Sequence, residues 1–392
     1  MRTTLFALST MALLVGCAPD PRLRDPRPVT QPIINGEPST PDENAVIGLG
    51  IFGPGGGGFQ GGCSGTLVHP RLVLTARHCV SETEAGGIAC DVDGTPIQGG
   101  GVLGDYEPSQ FRVLVGPELS FNFAATGQQI IHNNADNLCN NDIAFIVLDK
   151  PVTDAPIAQI RLDSQPAVGE LVKAVGWGQS NNSSGPSRRR RENVPITEVG
   201  PDDSVRYFAV GPNEFAVGES ICQGDSGGPA LAKSGAVVGV VSRGGNGKAA
   251  DQNDPTASCV DDGSYVAHNL YTRTDPFRDL VNTAFAAVGG EPWIEGQPDP
   301  RKAKTGEACT TDADCRSAVC VKGMCSLACT VDADCAAIPM FTCQAENGRS
   351  VCDVKPASGG CSTAPTHAPL STGALALLLL ALAAVALRRR TR

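Results

Sequence analysis

Aromatic side chains are scarce. Tyrosine occurs 4 times and tryptophan 2 times, and all aromatics make up 5% of the 392 residues. That poverty, set against 46 glycines, suits a loop-rich β protein better than a helical bundle. Positive charge is also in deficit. The net charge of −10 argues against nucleic acid as a partner. Helical periodicity is nearly absent, with one clear exception late in the chain. What is present in excess is cysteine. Sixteen cysteines are too many for a reducing cytosol and describe a disulfide framework in an exported protein. The length allows two or more domains with at least one sizeable core.

Both ends fit export. Arg2 precedes an apolar run over residues 5–15, long enough for a signal peptide and too short to span a bilayer. The run closes on "LVGC" (14–17), which resembles the lipobox of bacterial lipoproteins. The resemblance implies removal of residues 1–16 and a lipidated Cys17; an ordinary signal peptide with an incidental cysteine is the alternative. At the other end, residues 373–387 are uninterrupted Ala, Leu, Val and Gly, followed by "RRRTR". Such a run spans about 22 Å as a helix, short of the ~30 Å hydrocarbon core, and the arginines fit a positive-inside stop. With "GGCS" (359–362) and the polar spacer 355–372, this segment resembles the C-terminal sorting tails of myxobacterial surface proteins. A plain membrane anchor is the alternative. The expected location is the bacterial cell envelope, outer membrane or cell surface, through an N-terminal lipid, a C-terminal anchor or both.

Between the ends the chain divides by composition. Residues 17–32 are rich in Pro and Arg and read as a propeptide or tether. Residues 33–290 carry short apolar runs between turn residues, such as "TLVHPRLVLTA" (66–76), "IAFIVLD" (143–149) and "AVVGVVSRGG" (236–245), the pattern of a barrel or sandwich. The exceptional helix comes last, with Phe277, Leu280, Val281, Phe285 and Val288 at three- and four-residue spacing. A linker (291–304) leads to a module (305–354) in which "CTTDADC" (309–315) recurs as "CTVDADC" (329–335). Its eight cysteines must hold it together, because it has little apolar content. Their connectivity is not legible. The pairs Asp312/Asp314 and Asp332/Asp334 are acidic enough for Ca²⁺ but are more often turn formers, and the cysteine spacings suit zinc poorly. No metal and no cofactor is expected.

"CQGDSGGPA" (222–230) places a carboxylate beside a hydroxyl among glycines. Glycine lets backbone N–H groups approach a reacting atom, but serine needs a base to take its proton. Four of the five histidines, His69, His132, His268 and His367, lack a supporting context and read as surface residues. His78 ends an apolar run in "VLTARHC" (73–79), and Cys63 and Cys79 could clip the hairpin that carries it. "NNDIAFIVL" (140–148) sets Asp142 at the mouth of a buried strand. A serine nucleophile, a histidine base and a carboxylate that orients the base are what acyl transfer needs.

These blocks resemble the trypsin (chymotrypsin-like) family of serine endopeptidases. "LTARHC", "NNDIAFIVL" and "CQGDSGGP" match its three active-site blocks in order. "IINGEPS" (33–39), "VGWG" (175–178), "VVSRGG" (240–245) and "LYTRT" (270–274) match weaker landmarks. The resemblance implies a mainly β fold of two six-stranded antiparallel barrels with a C-terminal helix. To it the sequence adds a small disulfide-rich module and a hydrophobic anchor helix. The resemblance implies Ser226 as nucleophile, His78 as general base and acid, Asp142 as orienting carboxylate, and the N–H groups of Gly224 and Ser226 as the oxyanion hole. It implies an ion pair between Asp225 and the α-amine of Ile33 once the preceding bond is cut, and a bridge between Cys222 and Cys259 beside the specificity pocket. Cys90 and Cys139 fall in the long interval between His78 and Asp142 and are expected to pair.

The chain also departs from the family. Arg77 replaces a small residue before the histidine and is expected to find an exit to solvent. Pro32, not the Lys or Arg that trypsin-like activators cut after, precedes Ile33, so activation by that route is not expected; the alternatives are a cut by another protease or a chain that acts uncleaved. "RRRR" (188–191) lies in a stretch resembling the autolysis loop and is expected to be solvated and flexible, with a nicking site or an acidic partner as alternatives. The pocket floor maps to Ser220, where basic-specific members carry aspartate. The walls map to Ser242, Arg243, Gly244 and Asn269, and Asn269 would narrow the pocket. A buried Lys or Arg would stay unpaired there, so uncharged, small or medium P1 residues (those before the scissile bond) are expected in protein or peptide substrates. The alternatives to an enzyme are a catalytically inactive homologue or an adhesin acting as a protein-binding module.

Overall fold

The apolar runs become strands, and the strands close. The computed structural model describes residues 33–118, 122–178, 187–204, 209–248 and 256–354. The expected leader with Cys17, the tail with Cys361, His367 and the anchor segment lie outside these residues. Among the described residues, no helix is long and apolar enough to cross a membrane.

Six strands form the first barrel: β1 (Val46–Phe52), β2 (Phe59–His69), β3 (Leu72–Thr75), β4 (Phe111–Leu114), β5 (Ala125–Ile131) and β6 (Ala144–Leu148). Around the barrel they run β5-β6-β3-β2-β1-β4, with β4 pairing back to β5. Six more form the second: β7 (Leu171–Gly176), β8 (Arg189–Val199), β9 (Glu214–Val217), β10 (Pro229–Leu231), β11 (Val237–Gly245) and β12 (His268–Arg273). They run β8-β7-β10-β11-β12-β9, and β9 pairs back to β8. Closure leaves no free edge within either barrel. A two-residue strand, Glu37–Pro38, adds to β8. In β3 and β6 every residue is buried, because neighbours cover the face turned away from the barrel interior.

Helix α2 (Arg278–Ala287) buries Leu280, Val281, Ala284 and Phe285 on one stripe and packs on the first barrel near β5 and β6. It ends where Gly289 takes φ 68° and Gly290 N–H reaches back to Phe285 O at 3.0 Å. The stretch after it is no free tether. Ile294 bridges to Ile160, and Glu295 takes the Arg161 guanidinium through two hydrogen bonds of 2.5 and 3.1 Å.

The cysteine-dense region is two copies of one plan. β13 (Cys320–Val321) and β14 (Met324–Cys325) serve the first, β15 (Phe341–Glu346) and β16 (Arg349–Val354) the second. Disulfides join Cys309 to Cys320, Cys315 to Cys325, Cys329 to Cys343 and Cys335 to Cys352, so each copy pairs its first cysteine with its third and its second with its fourth. The aspartates serve turns. Asp314 accepts the N–H groups of Thr310 and Thr311, and Asp334 those of Thr330 and Val331. Asp312 pairs with Arg349 across the two copies.

Candidate active site

His78 sits on a single helical turn, α1 (Arg77–Val80), directly after β3. A helix this short has no stability of its own, so tertiary contacts hold it. A disulfide ties Cys79 to Cys63 on β2. Behind the histidine, Arg77 does not exit to solvent as expected. Its side chain is 5% exposed and pairs with Asp105, which also takes Ser81 Oγ and His132 Nε2, each at 2.8 Å. Asp105, in the long interval between His78 and Asp142, supplies that carboxylate, so an arginine is tolerated where a small residue is usual. His132 is thereby a partnered residue rather than an idle surface one. Cys90 of the same interval is disulfide-bonded to Cys139, three residues before Asp142.

Asp142 is fully buried at the start of β6. Its Oδ1 accepts the His78 backbone N–H at 2.9 Å, and its Oδ2 faces His78 Nδ1 at 2.8 Å and accepts Ser242 Oγ at 2.6 Å. Burial opposes charge on both groups. Each partner nonetheless favours the other's charged form, so His78 is raised above its ordinary value and Asp142 is lowered. With Nδ1 engaged by the carboxylate, Nε2 is the nitrogen left for the cleft. Ser242 reaches Asp142 because β11 bulges. Val241 faces Tyr271 and Arg243 faces Leu270 on β12, so Ser242 is the extra residue.

The 222–230 loop is held from three sides. Asp225 is fully buried, and its carboxylate accepts the N–H groups of Ile33 at 3.0 Å, Cys222 at 2.9 Å and Gly178 at 2.9 Å. Burial still pushes it up to about 6. The glycines of "VGWG" make room for it, since a Cβ on Gly176 would strike Asp225 Oδ1. Gly227 has φ 77°, and a side chain there would strike Thr75 Oγ1 and Ser64 O. Cys222 is bridged to Cys259.

Ser64 organises this contact between barrels. Its hydroxyl donates to Gly224 O at 3.1 Å and accepts Trp177 N–H at 2.8 Å, and its N–H donates to Ser226 O at 2.7 Å. Sequence reasoning missed it, although a serine inside the apolar block "CSGTLV" was a visible anomaly. The N–H groups of Gly224 and Ser226 donate to no other described residue. No hydrogen bond joins the Ser226 hydroxyl to His78 among the described residues.

Beside this loop Ser220, Asn269 and Tyr271 are buried. Asn269 faces Gly244 across β11 and β12 and donates to Gly218 O at 2.8 Å. A Cβ on Gly244 would strike the Asn269 side-chain oxygen, so the asparagine packs directly against the β11 backbone. Ser242 and Arg243, expected as walls, turn their side chains elsewhere, to Asp142 and to Glu214.

The arginine run also differs from expectation. It enters and forms the start of β8 and clasps the segment that follows Ile33. Arg188 is 1% exposed and donates to Ser39 Oγ, Thr40 O, Asn44 Oδ1 and Val46 O. Arg189 reaches Gly36 O, Arg190 pairs with Glu37 and Glu43, and Arg191 reaches Ile34 O.

Two closed antiparallel barrels, with a histidine–aspartate pair and a glycine-framed serine loop at their seam, define a two-barrel serine hydrolase. The trypsin family model matches residues 33–259, and the chain belongs to that family as a trypsin-like serine endopeptidase. It is 27% identical over 236 residues to Serine protease 7 of Drosophila melanogaster, covering 54% of this chain and 57% of that protein. It is 28% identical over 266 residues to the snake venom serine protease PTLE1 of Gloydius halys, covering 65% and 87%. It is 33% identical over 190 residues to brachyurin of Leptuca pugilator, covering 46% and 75%. The match thus spans little more than half of the fly protein's length.

Proposed function

We propose that this chain is an exported endopeptidase, held at the cell envelope, that cleaves protein or peptide substrates through Ser226, His78 and Asp142. The carrying observation is the His78 Nδ1 to Asp142 Oδ2 contact of 2.8 Å, with Ser242 fixing the same oxygen at 2.6 Å. Asp142 holds the imidazole in the tautomer whose Nε2 accepts the Ser226 proton as Oγ attacks the scissile carbonyl. The oxyanion that forms is met by the N–H groups of Gly224 and Ser226. His78 then returns the proton to the leaving amine. Water repeats the sequence on the acyl-enzyme and regenerates the serine.

With Ser220 as the pocket floor no carboxylate is offered there, and Asn269, packed against Gly244, would narrow the pocket. The substrates are therefore cut after uncharged, small or medium residues. Cleavage before Ile33 completes the site. Ile33 has φ 51°, an uncommon conformation for a β-branched residue. Cutting the preceding bond frees that torsion and turns a peptide N–H into an ammonium facing Asp225. Attachment would come from a lipid on Cys17, from the C-terminal segment, or from both.

A fluorophosphonate active-site probe tests the reading. Wild-type protein cut before Ile33 should label and Ser226→Ala should not. A cut wild type that never labels would favour a binding protein and overturn the proposal.

A further inference from the structure

Glu214 and Arg243 form a buried ion pair that the triad reading does not use. Glu214 is 0% exposed at the start of β9, and the Arg243 side chain is 12% exposed on β11. The pair is bidentate, with Nη1 to Oε1 at 2.5 Å and Nη2 to Oε2 at 2.9 Å. Removing two charges from water is costly, and an apolar pair of similar volume often serves stability as well. A contribution to stability is therefore a weak account of it.

Its position points elsewhere. Arg243 directly follows Ser242, whose hydroxyl holds Asp142. Glu214 Oε1 also accepts the N–H of Asn140 at 3.4 Å, two residues before Asp142. Asn140 is buried with φ 62°, and it is fixed further by Asn213, whose N–H donates to Asn140 Oδ1 at 2.9 Å and whose Nδ2 donates to Asn140 O at 3.1 Å. Gly94 and Gly211 lie so close that a side chain on either would strike the Asn140 amide. The second barrel therefore grips the Asp142 segment directly through Ser242, and at Asn140 through Asn213 and through Glu214, which Arg243 holds.

We propose that Glu214 is a positioning residue for Asp142. With Arg243 it locks the 139–142 turn of the first barrel to the bulge of β11, so that the carboxylate keeps both its contacts to His78. The inference rests on the triad reading above. A misplacement of about 1 Å at such a group costs on the order of 10²-fold in rate.

The test uses the full-length protein cut before Ile33, with Glu214→Gln and the apolar double variant Glu214→Leu/Arg243→Met. The double variant keeps volume without leaving a lone buried charge, so it should fold where the single variant fails. Rates on a peptide substrate are normalised to sites titrated with the fluorophosphonate. The expected result is a kcat roughly 10- to 100-fold lower with KM within about twofold. The acid limb of kcat/KM should also move to lower pH, because Asp142 no longer supports the imidazolium as well. Unchanged kcat and an unchanged acid limb per titrated site, even with a lowered melting temperature, would overturn the proposal and leave a purely structural role. A wild type that neither labels nor cleaves overturns the triad reading and this inference with it. An active wild type with unaffected variants overturns this inference alone.

Discussion

The backbone N–H of Ile33 donates to the buried carboxylate of Asp225 at 3.0 Å, across 192 positions of sequence. In the uncut chain that donor is neutral. Asp225, pushed from 3.8 up to about 6 by burial, then favours its protonated form in the folded state. Its contribution to stability is fully present below pH 3.8 and lost as pH rises through about 6. The loss amounts to about 3 kcal/mol. Once cut, the chain offers an ammonium, which favours the anion and removes that slope. Denaturant unfolding across pH 3.5–7 should therefore separate uncut from cut Ser226→Ala protein, with the cut form gaining as pH rises. Parallel curves would show that Ile33 does not deliver a charge to Asp225.

The His78 and Asp142 pair makes a second, independent pH prediction. His78 must be neutral to act as a base, and Asp142 raises its affinity for a proton. The acid limb of kcat/KM should therefore lie above 6.5, the ordinary imidazole value. Asp142→Asn should move the limb downward and lower kcat by about 10⁴-fold, since the amide disfavours the productive tautomer. Retention of the wild-type limb in that variant would remove Asp142 from its proposed role.

Arg188 carries a prediction about stability. Its guanidinium is brought down to about 10 by burial and serves four acceptors on residues 39–46. Arg188→Met should cost about 2–4 kcal/mol, because buried carbonyls lose their donor. Arg190→Met should cost less, about 1 kcal/mol, because its side chain is 21% exposed and its partner Glu43 keeps Lys173. Chemical denaturation of the two variants checks this. Equal and small losses would return the run to a solvated loop.

That run marks where the sequence stopped being legible. The three active-site blocks could be read because His78, Asp142 and Ser226 each sit beside their own landmarks. The two barrels followed from the resemblance those blocks carried, and α2 was visible because its apolar stripe is local. Arg188 has its partners about 150 positions upstream in the chain, and no local pattern announces them. The same holds for Asp105 behind Arg77, for Ser64 under Gly224, and for Glu214 beneath Asn140. Arg188, Arg77, Ser64 and Glu214 are polar residues whose burial is decided by how two distant segments meet. Charge in sequence reads as solvent exposure unless the partner is known.

The pocket gives the last prediction. Asn269 is 1% exposed, donates to Gly218 O at 2.8 Å and faces Gly244 directly across the β11–β12 pairing. It thus ties the segment before Ser220 to the strand pair and occupies the volume between them. Asn269→Gly removes that plug while leaving Ser220 and Tyr271 in place. If the pocket is the P1 site, the variant should accept larger uncharged side chains, with kcat/KM for aromatic or Leu P1 substrates rising about 10-fold or more relative to Ala. Adding Ser220→Asp to it should shift the preference to Lys or Arg, because the floor then offers a carboxylate to a buried cation. Each variant would be profiled on a peptide library spanning all P1 residues. A profile unchanged by Asn269→Gly, or a wild type that already prefers Arg, would place the P1 site elsewhere than around Ser220, Gly244 and Asn269.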